Sequence, residues 1–191
     1  MKRHTERAFT LVEIMIVVAI IALLAAIAIP NVLRGRTTAN ETAAIGNFRA
    51  LIASLEMYRS VNNAYPTTAQ TWLTEMYGAG VAPAACAVAV PPAPDFGPPS
   101  FCTQLTPGPG LVQGFNYTYV QGPTGGATYD LLTVPATVGT TGTRSFYTNE
   151  SGIIRHCRQG AALATVANGR TPTANWVTID ATLPAVGTDC N

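Results

Sequence analysis

The sequence predicts an α+β fold in which a long N-terminal helix packs on a small antiparallel sheet. Three observations lead there. An apolar run opens the chain, an amphipathic helical stripe follows it directly, and short alternating runs punctuated by Gly, Pro and Asn fill the second half. The 191 residues are 48% hydrophobic and only 11% charged, with a formal net charge of +1. So apolar a chain is not a charged disordered polymer. So neutral a chain carries no overall electrostatic footprint for nucleic acid, and none is expected as a partner.

From Phe9 to Ile29 only Thr10 and Glu13 are polar. As a helix this run extends roughly 31 Å, the thickness of a bilayer core. We place the span at residues 9–33. Lys2, Arg3 and Arg7 precede it against the single acid Glu6, which predicts a cytoplasmic N-terminus and an exported remainder, residues 34–191. The run is too long for a cleaved secretory signal, and Ile29-Pro30-Asn31 is not a small-residue cleavage site. An ordinary membrane anchor would fit the length, but Glu13 argues against it. An acid inside such a span costs on the order of 3 kcal/mol and normally marks a function with a partner. Pro30 removes one backbone donor and is expected to kink the helix rather than end it.

The helix should continue to about Val61. Ala44, Phe48, Leu51, Leu55 and Tyr58 form one stripe, with Glu41, Asn47, Arg49, Glu56 and Arg59 on other faces and Asn62-Asn63 as the stop. The stripe is short and contains Gly46, so it reads as core for a sheet rather than a coiled-coil seam. Residues 79–114 then hold eight of the 14 prolines, with Cys86 and Cys102 among them, and are expected to be an ordered surface loop. Phe115 to Tyr119 alternates as a half-buried strand, and a turn at Gly122–Gly126 returns it to a strand at Tyr129–Val134. A second hairpin is expected from Arg144–Thr148 to Gly152–Arg155 around Asn149-Glu150-Ser151, and a further strand at Trp176–Asp180.

The start of the span is specific. Ala8-Phe9-Thr10-Leu11-Val12-Glu13, followed by Ile14 to Ile21 and closing at Ala26-Ile27-Ala28-Ile29-Pro30, closely resembles the prepilin signature of type IV pilins and type II secretion pseudopilins. The resemblance implies that residues 1–8 are a leader cut between Ala8 and Phe9 by a membrane prepilin peptidase, which also N-methylates Phe9. It further implies that Glu13 is the assembly glutamate. The family usually has Gly where this chain has Ala8, which bears on cleavage efficiency, and often a mid-span Gly where this chain reads Ile21-Ala22-Leu23-Leu24. The chemistry of Glu13 agrees with the resemblance. A free α-amine has a pKa of about 7.7–8, and Glu13 lies one helical turn beyond Phe9. Staggering two helices by roughly 6 Å brings the carboxylate of one beside the amine of the other, which sets register as well as attraction. Tyr65-Pro66-Thr67 and the run from Arg144 to Arg155 also resemble pilin-like proteins, less specifically.

Four cysteines in an exported segment favour disulfides, with three connectivities open. We expect Cys86–Cys102 and Cys157–Cys190, the second resembling the C-terminal disulfide loop of many type IV pilins. A metal site is not expected, because no C-x-x-C occurs and His156 and Cys157, adjacent at a strand end, should point apart. Asp180 and Asp189 are too sparse to carry over the calcium site of some pseudopilins. Ser145, His156 and Asp180 have the residue types of a hydrolytic triad, but most chains contain three such residues. Neither a phosphate-binding loop nor a nucleophile elbow is present, and no enzyme or cofactor is expected. Asn40, Asn116 and Asn149 begin N-x-[ST] triplets, a pattern frequent by chance.

The chain therefore reads as a structural subunit that polymerises with itself. Its partners would be membrane lipid before assembly, the prepilin peptidase/methyltransferase, and an inner-membrane assembly platform with its motor. The expectation is a subunit of a type IV pilus, stored in the inner membrane and then extracellular. The cysteines and the Pro-rich loop favour it over the alternative, a type II secretion pseudopilin. The rival from another class is a signal-anchored periplasmic binding module that never polymerises.

Overall fold

A computed structural model describes residues 9–67, 75–76, 96–97, 101, 110–122, 125–159, 164–171, 176–180 and 190. The expected leader, residues 1–8, and the expected pair Cys86–Cys102 lie outside the described residues. One helix, α1, runs Leu11–Asn62. Contacts divide the chain into two units, residues 1–36 and 37–191.

Residues 9–36 of the first unit are largely apolar, helical from Leu11, and none belongs to a buried core. Their large side chains are exposed, Phe9 to 75% and Leu23 to 70%. By length and composition α1 is able to cross a membrane. Pro30 lies inside it.

In the second unit the strands with described bounds are β1 (Gly110–Val112), β2 (Phe115–Gln121), β3 (Tyr129–Pro135), β4 (Arg144–Asn149), β5 (Arg155–Arg158) and β6 (Val177–Thr178). They form one antiparallel meander in sequence order. The fold is thus α+β, a long helix with a small antiparallel sheet. A short helix, α2 (Val166–Arg170), follows β5.

The helical stripe is core. Ala44, Phe48, Leu51 and Leu55 are fully buried with Phe115, Tyr117, Tyr119, Leu131 and Phe146 of the sheet. Asn63 ends α1 in the left-handed conformation, φ 57°, with its N–H bonded to the Arg59 carbonyl. A short polar side chain tolerates that geometry at a helix end.

Three elements depart from expectation. Glu41 belongs to the core stripe rather than another face, being three residues before Ala44 and only 6% exposed. The hairpin strand β5 begins at Arg155, three residues later than expected, because Gly152 takes a positive φ of 69° and leads an irregular exit before pairing resumes. Within the expected surface loop, Gly110–Val112 forms β1 and Phe101 is fully buried, its ring edge-on to Tyr117 at 4.8 Å.

Strand β3 is buried at every position. Its odd-numbered residues Tyr129 and Leu131 face the first core. Leu132 and Val134 face a second core with Tyr147, Cys157, Ala164, Trp176 and Cys190. The sheet is therefore covered on both sides, and the C-terminal segments supply the second cover. Gly169 shows how closely they approach, since a Cβ there would collide with the Tyr147 ring.

Candidate functional site

The candidate site is the beginning of α1. Thr10 precedes the first helical residue, and its Oγ1 accepts the Glu13 backbone N–H at 3.3 Å. Its hydroxyl lies 3.5 Å from Glu13 Oε2. Thr-x-x-Glu is a capping-box pattern, in which the N-cap hydroxyl satisfies one of the orphan N–H groups of the first turn. The sequence reading of Glu13 as an acid in the span and as the assembly glutamate does not include Thr10, although the three-residue spacing carries that signal. The cap holds the Glu13 carboxylate at the first turn, on the end of the helix where Phe9 lies. A carboxylate is favoured there by the helix dipole. Phe9 is exposed beside it.

From Ile14 to Ile29 the helix presents apolar side chains all round. Such a surface needs lipid or other apolar partners. It offers no group for chemical catalysis.

The remaining nominated residues form no reactive constellation. Ser145 and His156 occupy adjacent rungs of the β4–β5 ladder but opposite faces: Ser145 pairs with Cys157 and His156 with Phe146. Ser145 Oγ donates to Gln159 Oε1. His156 stacks on Phe146, and its Nδ1 lies 3.3 Å from Arg144 Nη1. Asp180 is exposed beyond β6. Cys157 is bonded to Cys190 across a Cα–Cα distance of 5.4 Å, which ties the C-terminus to β5. Trp176 Nε1 donates to the Cys190 carbonyl at 2.9 Å, closing the same corner. Among the described residues no cluster of three or more His, Cys, Asp or Glu side chains is placed to hold a metal ion. The amide of Asn40 donates to the Thr141 carbonyl, and Asn149 Oδ1 accepts from the Ser151 N–H and hydroxyl.

Two buried acids organise the second unit. Glu41 Oε1 accepts from the Thr143 N–H at 2.7 Å and the Thr143 hydroxyl at 2.8 Å, while Oε2 pairs with Arg144 Nε at 2.7 Å. Helix and sheet are thereby joined through one carboxylate. On the opposite face Asp130 receives Arg170 Nε at 2.8–2.9 Å and the Tyr147 hydroxyl, which docks α2. That hydrogen bond to Asp130 is the main reason the Arg170 pKa is raised.

At the helix exit, the Tyr65 hydroxyl donates to Glu56 at 2.6 Å and accepts from Arg59, while the Tyr119 hydroxyl donates to the Pro66 carbonyl at 2.7 Å. Burial, with the bond to Glu56, pushes Tyr65 up to about 12. Tyr65-Pro66 is thus a structural clasp that locks the end of α1 to β2.

Comparison with known proteins now bears directly on the first turn. The family model for the prokaryotic N-terminal methylation motif matches residues 3–29. The chain is 44% identical over 70 residues to the type II secretion system core protein G of Pseudomonas aeruginosa, covering 37% of this chain and 49% of that protein. It is 39% identical over 70 residues to the Klebsiella michiganensis protein of the same name, with the same coverage. With the Escherichia coli protein it shares 42% over 65 residues, 34% of this chain and 45% of that one. The chain thus spans about half the length of these curated relatives. No solved structure matches. The relatives favour the secretion pseudopilin over the type IV pilus, reversing the order expected from cysteines and prolines. Those features lie C-terminal to α1, whereas the identity reflects a shared stretch of 65–70 residues. By its first turn, its apolar helix and the motif at residues 3–29, this chain carries the prepilin signature of the type IV pilin and type II secretion pseudopilin family.

Proposed function

We propose that the protein is a structural subunit of a type II secretion pseudopilus, working by assembly rather than catalysis. Residues 1–8 are removed before Phe9, the new amine is methylated, and the subunit waits in the inner membrane with its N-terminus at the cytoplasmic face. Polymerisation transfers the apolar half of α1 from lipid into a filament axis in the periplasm. Glu13 pairs with the Phe9 amine of a neighbouring copy, and Pro30 is where the helix adapts to the filament. The prepilin peptidase acts first, and an assembly platform with its motor supplies the work.

The observation that carries this reading is the methylation motif at residues 3–29 coinciding with a capped helix start whose large apolar side chains are exposed. Intact-mass analysis tests it. Loss of residues 1–8 with one added methyl is expected, and a chain that still starts at Met1 without a methyl refutes it. Glu13→Ala should be cleaved yet fail to assemble; normal filaments from that variant would sink the amine pairing. The second reading is a type IV pilus subunit, favoured by the Cys157–Cys190 bond at the C-terminus. Gene deletion separates the two. Loss of protein secretion with surface filaments intact supports the pseudopilus, and loss of surface filaments with secretion intact supports the pilus.

A further inference from the structure

Between Glu13 and Glu41 the only charged residues are Arg34 and Arg36. The helix is assigned without interruption from Leu11 to Asn62, so Glu13 and Arg34 stand 21 residues apart, or roughly 32 Å of helix rise. A bilayer hydrocarbon core is about 30 Å thick. With the first turn of the span on the cytoplasmic side, the two guanidinium groups emerge among the headgroups of the opposite leaflet. Both arginines are exposed. Two residues of helix separate them by about 200° of rotation, so they leave the helix on opposite sides. Between them Gly35 has nothing within 4 Å of its would-be Cβ, which leaves the helix surface open for headgroups. The acids of residues 1–36 are Glu6 and Glu13, both at the other end of the span.

We infer that Arg34 and Arg36 bind lipid phosphate diesters of the leaflet facing away from the cytoplasm, one lipid on each side, as a collar that fixes the depth of the span. The inference rests on the membrane-inserted state proposed above. The chemistry fits the occupant, because a guanidinium fork matches two phosphate oxygens and its long stem reaches out of the apolar layer. The collar also clarifies the leader. Cations on the exported side oppose the positive-inside bias, so orientation depends on Lys2, Arg3 and Arg7, whereas depth is held by Arg34 and Arg36 after those three are gone.

The test uses the full chain, with guanidinium carbons labelled, in bilayers of phosphatidylethanolamine and phosphatidylglycerol. Carbon–phosphorus dephasing by solid-state NMR reads arginines within contact distance of lipid phosphate, and infrared dichroism reads whether the helix spans. Arg34→Gln/Arg36→Gln should lose the dephased signal of two arginines while the helix remains transmembrane, and Arg34→Lys/Arg36→Lys should keep the helix depth. A spanning helix with equal dephased intensity in the native chain and the Gln variant overturns the lipid collar alone. A native helix that does not span overturns both the collar and the inserted state beneath it.

Discussion

Glu41 joins α1 to the sheet in the second unit, and its removal is a sharp test of the fold. Glu41→Ala deletes two hydrogen bonds from Thr143 and the ion pair to Arg144, all at 2.7–2.8 Å. Hydrogen bonds to a charged group are each worth about 1.5–3 kcal/mol. Breaking a fully buried ion pair from one side costs about 3–5 kcal/mol, because a charge is left without compensation. Here the penalty is smaller. The Arg144 side chain is 25% exposed and keeps His156 within 3.3 Å, and Thr143 itself is exposed, so water replaces part of what is lost. The net expectation is about 2–3 kcal/mol. For a domain of this size that corresponds to a fall in Tm of about 4–12 °C. Near-UV circular dichroism of the full chain in detergent reads it, since Tyr117, Tyr119, Tyr147 and Trp176 report the sheet and its two cores. Glu41→Gln keeps one acceptor and should lose about half as much. A double-mutant cycle with Arg144→Met should show a coupling of at least ~1 kcal/mol. A Glu41→Ala melt within about 2 °C of the native chain, or a cycle additive within ~0.5 kcal/mol, would refute the joint.

Other outcomes follow from the two cores and the clasp. Replacing Cys157 and Cys190 by Ala opens a link between residues separated by 33 positions, and chain entropy predicts a loss of about 4 kcal/mol, read as the denaturant midpoint. Gly169→Ala should cost about 1–3 kcal/mol by forcing α2 off the Tyr147 ring, and an unchanged midpoint would contradict that contact. Burial raises the pKa of both Tyr65 and Tyr117 to about 12 in the folded chain, against 10.0 for an ordinary tyrosine. The folded state therefore holds these protons more tightly than the unfolded one. The stability they contribute is complete below pH 10 and is lost as pH rises through about 12. Tyrosinate absorbance should show both groups still protonated at pH 10 in the folded chain; titration of Tyr65 near pH 10 without loss of near-UV signal would count against the clasp.

The start of α1 was legible because its physics is local. An apolar run, an acid at its beginning and cations before it are properties of neighbouring residues, and the Thr10 cap was equally visible in the Thr-x-x-Glu spacing. The core stripe from Ala44 to Leu55 followed from helical periodicity, and β2 from alternation of its aromatics. Glu41 was misplaced because charge was taken as a sign of solvent, although its spacing from Ala44 put it on the buried face. A sheet partner was needed to show why: Arg144 and the Thr143 N–H lie about a hundred residues away and satisfy the carboxylate there.

What the sequence alone determined is the N-terminal third. Helix rise, hydrophobic length and charge placement specify a membrane-length helix with a capped acid at its first turn, and no distant residue is required. What only the tertiary structure decided is the second cover of the sheet. Whether β3 is half-buried or fully buried depends on α2, Trp176 and Cys190 folding back over Leu132 and Val134. Alternation within a single strand cannot report a face that another part of the chain closes.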